Sequence, residues 1–600
     1  MKNRDSLIFV GLLVVATLAG IWGAQRGASQ NEGDTDAASH INMRAGHFMV
    51  TAANPHATDA GYEILAAGGS AVDAAIAIEA VLSLTEPQSS GLAGGAYMLH
   101  WQAAKAQLDA YDGRETTPMG ATPELFYNED GKMGFFTAFR TGRAVGVPGV
   151  VAMLAQAHGD HGNLPWADLF KPALKLATDG FVVSPRLAKS LVSYRVSSDR
   201  QMTMRDYFFT QNEDGTWTPV PEGHLLKNPA YAHTLSLIAD KGAKAFYTGA
   251  LAQEIVDAVQ NAPVYPGTLN MADMAAYKPI RREAVCLPYR QYEVCGMPPS
   301  SSGGLTVLQI LGMLNESKMA DLPAGSVKAI HLITEASKLA YADRNRYIGD
   351  PEMVPVPVEG MLNKFYLRQR SREIMPNHSA PKALPGKAGI QTGALGHWGN
   401  SDNWGDNVSK AQPSTSHFSI VDSAGNVVSM TASVEAPFGS RLMAGGMVLN
   451  NQLTDFSFAP ADENGPIANA VAPGKRPRSS MSPTIVFDEN EDFYLAIGSP
   501  GGSRIITYVT QTLVGLLDWN LSMQDAINLP RHVQAGDESN LELEAGTDLA
   551  ARADALRALG HQVTVKPITS GLHGIKVMEG TYEGGADPRR EGTVREGVLQ

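Results

Sequence analysis

From about residue 376 to residue 414 the chain is polar and rich in Gly, Ser, Asn and Pro, with neither a helical nor a strand period. A structureless stretch of that length is uncommon inside a compact domain and reads as a long exposed loop or linker. Directly after it the pattern changes to paired strands. Residues 417–422 and 426–431 bracket Ser423-Ala424-Gly425, and residues 483–487 and 493–497 bracket an acidic turn, two hairpin signatures. An apolar helical run, 503–519, follows Gly501-Gly502. Upstream, residues 58–68 read as a short helix. Ser70-Ala71-Val72-Asp73 is a capping box that opens a helix to about Leu84, apolar nearly all round and therefore buried. Residues 90–101 form a Gly-rich strand region, 144–184 are mostly helical, and 304–349 hold two more helical runs. Strands in succession, then helices, predict an α+β fold of antiparallel sheets with helices layered on them.

The ends bear on location. Lys2 and Arg4 precede an almost uncharged run from Leu7 to Ala24, and a polar linker follows to His40. This is the pattern of an export signal, yet the run is also long enough to anchor the chain in a membrane. Residues 1–40 are therefore read as signal peptide or anchor plus linker, and the body as exported, periplasmic or extracellular. The chain has two cysteines, Cys286 and Cys295, flanking a hairpin whose turn centres on Arg290-Gln291. A cross-strand disulfide and a pair of buried thiols are both open readings. With 44% hydrophobic and 18% charged residues the chain lies far from the disordered regime. A formal charge of −13 disfavours general nucleic-acid binding.

Several chemistries have no motif here. The sequence holds no Gx4GK[ST] loop, no GxGxxG after a strand, no GxSxG elbow and no HExxH. No metal site is expected. The junction Pro413-Ser414-Thr415-Ser416-His417-Phe418 offers something else. Attack of the Thr415 hydroxyl on the Ser414 carbonyl would move the peptide bond to an ester that water cleaves. The new N-terminal Thr415 would then carry its own general base, an α-amine with a pKa of about 7.7–8.0.

The stretch from Pro413 to Asn426 resembles the self-cleavage site of the γ-glutamyltransferases (γ-glutamyltranspeptidases). Leu449–Ser457, Gly474–Pro483, Gly498–Arg504, Gly68–Ala75, Tyr111–Thr116 and Met297–Gly304 resemble further segments of that family, in one collinear order from about Ala53 to Arg589. A length-based prior of about 150 residues per domain would give four domains. The resemblance implies a single N-terminal-nucleophile hydrolase body instead, two stacked antiparallel sheets between helix layers. Residues 41–414 would be its large subunit and 415–600 its small one, the two staying together as a heterodimer.

The resemblance also implies site roles. Thr415 falls on the nucleophile, and the amides of Gly501 and Gly502 on the oxyanion hole. Arg114, Ser479 and Ser480 fall on the group that holds the substrate α-carboxylate, and Gln452 and Asp455 on positions that hold the α-ammonium. Ser433 falls where the family has a hydroxyl near the nucleophile's amine. Glu435 stands where many members have Asn, which would place a second carboxylate near the ammonium. His417 reads as a packed strand residue. The lid region, residues 458–474, is short, so a more open cleft is expected.

The implied activity is a glutathione hydrolase or γ-glutamyltransferase without cofactor. It would act on glutathione or other γ-glutamyl compounds and pass the acyl group to water, an amino acid or a peptide. A cephalosporin acylase of the same family is the near alternative, and a non-catalytic, membrane-anchored amino-acid-binding protein the alternative of another class.

Overall fold

The structure is a computed structural model that describes residues 46–193, 202–388, 404–407, 414–536 and 540–599. The expected export segment, 7–24, lies outside the described residues, as does most of the linker between 389 and 413. Among the described residues no helix is long and apolar enough to cross a membrane. Residues 46–600 belong to one compact unit.

Thirteen strands make two main sheets. In chain order they are β1 (His47–Ala52), β2 (Gly95–Gln102), β3 (Gln107–Gly113), β4 (Ile280–Arg282), β5 (Val285–Tyr289), β6 (Tyr292–Gly296) and β7 (Ser416–Val421). The rest are β8 (Val427–Ser433), β9 (Thr484–Phe487), β10 (Phe493–Gly498), β11 (His573–Met578), β12 (Thr581–Ala586) and β13 (Thr593–Val598). The first sheet runs β4-β3-β2-β8-β7-β1-β13 and the second β5-β6-β9-β10-β11-β12, with antiparallel neighbours throughout.

The helices that frame them are α1 (Pro55–Ala66), α2 (Ala71–Thr85), α3 (Val150–His161), α4 (Pro185–Ser193), α5 (Gly303–Leu314), α6 (Val327–Tyr347) and α7 (Ile505–Leu517). Strand alternation sorts the first sheet's side chains between two cores. Val50, Met98, Phe418, Ile420 and Met430 pack with α1 and α2. Met49, Tyr97, Leu99, Val421 and Val427 pack with Val294, Ile485 and Ile497 of the second sheet, in a cluster that reaches α5, α6 and α7. The result is the helix–sheet–sheet–helix layering implied by the resemblance.

Local signals act as their chemistry dictates. Ser70 Oγ accepts from Asp73 N–H at 3.1 Å and Asp73 Oδ2 from Ser70 N–H at 2.9 Å, and every residue of α2 is buried. The first helix begins earlier than its apolar period suggests, because Asn54 caps it and Pro55 opens it. Tyr289 pairs with Tyr292 around Arg290-Gln291, which sets Cys286 opposite Cys295, and the two are joined in a disulfide.

Candidate active site

Thr415 sits one residue before β7, a strand held between β8 and β1 near the middle of the first sheet. It is 4% exposed and has φ = 93°. A β-branched residue at positive φ is strained, at a cost on the order of 1–3 kcal/mol. The surroundings enforce that conformation from four directions. Gly501 N–H donates to the Ser414 carbonyl at 3.1 Å, and Thr415 N–H donates to Ser89 O at 3.2 Å. Arg590 Nη1 donates to the Thr415 carbonyl at 2.9 Å, and Ser414 Oγ to the Gln88 carbonyl at 2.5 Å. The Thr415 and Ser433 hydroxyls share a hydrogen bond of 2.9 Å, and Glu435 N–H donates to Ser433 Oγ at 2.9 Å.

A cavity opens beside the hydroxyl. Of the residues singled out by the sequence it is walled by Thr415, Ser433, Glu435, Gln452, Asp455, Ser479, Ser480 and Gly502. Gly501 and Arg114 are not in its wall. Gly501 stands behind, on the Ser414 carbonyl, and its φ of 142° explains the glycine. Arg114 is fully buried, with Nη2 on Asp455 Oδ2 at 2.5 Å and Nε on the Pro477 carbonyl at 3.0 Å. Its Nη1 lies 3.6 Å from Glu115 Oε2. The guanidinium implied for a substrate carboxylate thus begins paired to the carboxylate implied for the substrate ammonium.

The electrostatics follow from burial. Burial raises the pKa of Asp455, and Arg114 offsets part of the effect. Burial pushes Glu115 up to about 8, again against Arg114, so at neutral pH it is largely protonated. For Arg114 burial acts downward, but Asp455, Tyr97 and Glu115 more than offset it and the net shift is upward. His417 is pushed well below its ordinary value by burial and by His573, and its ring bonds to the Thr431 and Ser419 hydroxyls. It is a packed, neutral strand residue.

Two arginines without an assigned role in the sequence reading also wall the cavity, Arg344 and Arg478. Arg344 Nη2 donates to Ser480 Oγ and its Nε to Ser302 Oγ, each at 2.8 Å. Ser302 in turn donates from N–H and hydroxyl to the Ser479 carbonyl, so the double serine is set by Arg344. Arg478 Nη1 reaches the Arg344 and Ile348 carbonyls and its Nη2 the Asn407 carbonyl and Oδ1. Burial lowers the pKa of both. Arg344 carries no local signal, since a basic residue in the last turn of α6 is what any helix favours.

The expectation of a more open cleft does not hold in this structure. The cavity measures about 20 Å³, room for roughly a single water. The described part of the linker, 404–407, packs nearby. Gly405 N–H donates to the Pro466 carbonyl, Asp406 N–H to Asp462 Oδ2 and Asn469 Nδ2 to Asn407 Oδ1, while Arg346 pairs with Asp406. Residues 405–407 are thereby tied to the 462–469 segment, and through Asn407 to Arg478 of the cavity wall.

Comparison with known proteins accords with this geometry. The chain is 36% identical over 559 residues to the glutathione hydrolase proenzyme of Escherichia coli, covering 91% of each. It is 32% identical to the acylase ACY 1 proenzyme of a Pseudomonas species, covering 91% of this chain and 92% of that one. The crystal structure of cephalosporin acylase from Bacillus halodurans superposes with a TM-score of 0.77 at 27% identity, over 92% of this chain and 96% of that one. The family model described as Gamma-glutamyltranspeptidase matches residues 57–597. With the nucleophile-hydrolase layering and the site in place, the chain belongs to the gamma-glutamyltranspeptidase family.

Proposed function

We propose that the protein is an exported, self-processing glutathione hydrolase or γ-glutamyltransferase. The observation that carries the reading is the Gly501 N–H on the Ser414 carbonyl, with the strained Thr415 beside it. A backbone donor aimed at the oxygen that becomes an oxyanion is what acyl transfer needs. Thr415 Oγ attacks the Ser414 carbon, the C–N bond breaks, and the proton from the hydroxyl ends on the departing nitrogen. Water then hydrolyses the ester. The chain is continuous here, so Thr415 N is an amide without basicity; the α-amine base exists only after cleavage.

In the mature enzyme the Thr415 amine takes the hydroxyl proton, and the oxygen attacks a γ-glutamyl amide carbonyl. Gly501 and Gly502 N–H groups face the oxyanion. Asp455 takes the ammonium and Arg114, with Ser479 and Ser480, the carboxylate. Glu435 N–H holds Ser433, and Ser433 holds the attacking oxygen. The Cys286–Cys295 disulfide supports export, since such bonds persist in oxidising compartments. Replacing Thr415 by Ala should leave one chain on a denaturing gel; two subunits of normal size would refute the reading.

The likeness to acylases supports a second reading, cephalosporin side-chain hydrolysis. Rates on γ-glutamyl and glutaryl anilides separate the two, because the glutaryl group lacks only the ammonium that Asp455 would hold. The non-catalytic alternative predicts an uncleaved chain that binds amino acids without product.

A further inference from the structure

At the rim of the first sheet, away from Thr415, three side chains from separate elements meet. His100 lies on β2 and Asp109 on β3, and the strand register sets the two opposite each other. His161 is the last residue of α3 and comes down over them. Its ring centroid is 4.2 Å from that of His100, and its Nε2 is 3.6 Å from Asp109 Oδ2. One ligand atom from each residue lies within 4.8 Å of the others. No spacing in the chain announces the group, because two strands and a helix bring it together.

His100 is the telling member. It is 2% exposed, and its Nδ1 is buried without a hydrogen bond. A buried ring nitrogen left unmet costs about 1–3 kcal/mol. Burial, then His161, lowers His100 to about 3, and burial lowers His161 as well, so both imidazoles are in the neutral form that binds metals. The second histidine–carboxylate group among the described residues, His331, Glu335 and His561, makes the contrast. There His331 bonds His561 through one nitrogen and the Met375 carbonyl through the other, and Lys338 holds Glu335. That group is satisfied from within and leaves a cation nothing to meet.

The surroundings of His100 suit an ion. Arg281 and Gln107 take Asp109 Oδ1 and fix the plane of the carboxylate, while Oδ2 carries the Gln102 amide at 2.6 Å and faces His161. The Tyr111 hydroxyl meets His161 Nε2 at 2.7 Å and donates to Asp160 Oδ2 at 2.9 Å, which orients the ring from behind. Outer partners of this kind are how metal sites hold their ligands. The charged neighbours are Asp109, Asp160, Arg281 and Lys105, two of each sign, and the C-terminal end of α3 adds its negative pole. Asp109, Gln107 and Arg281 also wall a surface cavity of about 530 Å³, which gives an ion its way in.

We propose that His100, Asp109 and His161 form a binding site for a borderline divalent cation of the zinc type. Two imidazoles and one carboxylate are a donor set that Zn²⁺ prefers and Mg²⁺ or Ca²⁺ does not. Ligand atoms around a tetrahedral zinc stand roughly 3.3 Å apart, so the group closes by roughly 1.5 Å at most. His161, half-buried at a helix end, is the ligand free to make that movement. The role is structural. β3 runs from Asp109 toward Arg114, and the strand between them spans roughly 17 Å. The ion would tie α3 to β2 and β3 at the far end of the strand that presents Arg114.

The test uses the purified full-length protein without an affinity tag, stripped with a chelator and titrated with Co²⁺ or Zn²⁺ alone. One equivalent of Co²⁺ should bind and give the visible absorption of a four-coordinate nitrogen and oxygen site, and Zn²⁺ should bleach it. Zn²⁺ should also raise the melting temperature of the wild type and leave that of His161→Ala unchanged. His161→Ala is the primary variant because it alters a half-buried helix end, and it should weaken Co²⁺ binding by about a hundredfold; Tyr111→Phe, which removes an outer partner, should weaken it by about tenfold. His561→Gln, in the other histidine group, should bind as the wild type does. A wild type that takes up no Co²⁺, or a His161→Ala protein that binds it with unchanged affinity, overturns the site. Loss of binding in His561→Gln alone would place the ion at the other group and overturn it equally.

Discussion

Around the Thr415 cavity the wall is a largely paired net, Arg114 on Asp455, Asn451 on Glu435 and Arg344 on Ser480, although Gln452 Oε1 and Arg478 Nε are buried without a hydrogen bond. The space walled by Ser414, Gln88, Lys189 and Arg590 is far larger, about 390 Å³. Both flank one peptide, and only the second has room for a ligand. On the proposed reading the uncut chain already brings Thr415, the Gly501 N–H and the strained backbone together, beside a cavity with room for little more than a water.

The largest test of the closed side is its ion pair. Arg114→Leu strands the buried Asp455 carboxylate, and loss of one partner of a buried pair costs about 3–5 kcal/mol. Urea unfolding should show a fall of that size together with loss of turnover. A variant as stable as the wild type would break the picture of a paired net. Glu115 gives a pH-dependent test. Its carboxyl is raised to about 8 from an ordinary 4.5, so the folded state keeps a proton that the unfolded chain gives up. Its contribution therefore lowers stability as pH climbs between those values. The melting temperature of Glu115→Gln should gain on the wild type from pH 5 to pH 8; a constant difference would place Glu115 in a more polar setting.

A smaller effect is expected at the nucleophile's neighbour. Ser433→Ala removes one hydrogen bond to the attacking oxygen, worth about 1–1.5 kcal/mol. Chain cleavage in a pulse-chase should slow by about tenfold. Smallest of all, Arg346→Ala cuts the partly exposed fork to Asp406 and should change stability by less than about 1 kcal/mol, measured by the same unfolding. A larger loss would mean that the docked linker carries more of the fold than its hydrogen bonds indicate.

Much of this was legible in the chain because it is local. The capping box of α2, the turn at Arg290-Gln291 and both hairpins around β7–β8 and β9–β10 depend on residues a few positions apart. The motif residues Thr415, Ser433, Gln452, Asp455, Ser479 and Ser480 do converge on one cavity. What local reading missed is created by distance. Strand β1 and strand β13 pair across nearly the whole chain, and short polar-edged strands of that kind leave little period to read. Gln88 and Arg590 meet only through the fold, and each alone is an ordinary polar residue. Arg114 was found by motif, but its pairing with Asp455 rather than an open fork depends on the end of β3, the short 3-10 turn after Asn451 and the irregular segment of Pro477 coming together. The expectation of an open cleft failed as well: a short lid does not by itself set the room beside Thr415, which is about 20 Å³.

The central claim is that Thr415 cuts the chain at its own amino side. N-terminal sequencing and intact mass of the purified protein test it directly. The account predicts a small chain that begins at Thr415 and ends at Gln600, and its absence when Thr415 is replaced by Ala. A wild-type protein that stays in one piece, or a small chain that begins at any other residue, would contradict it.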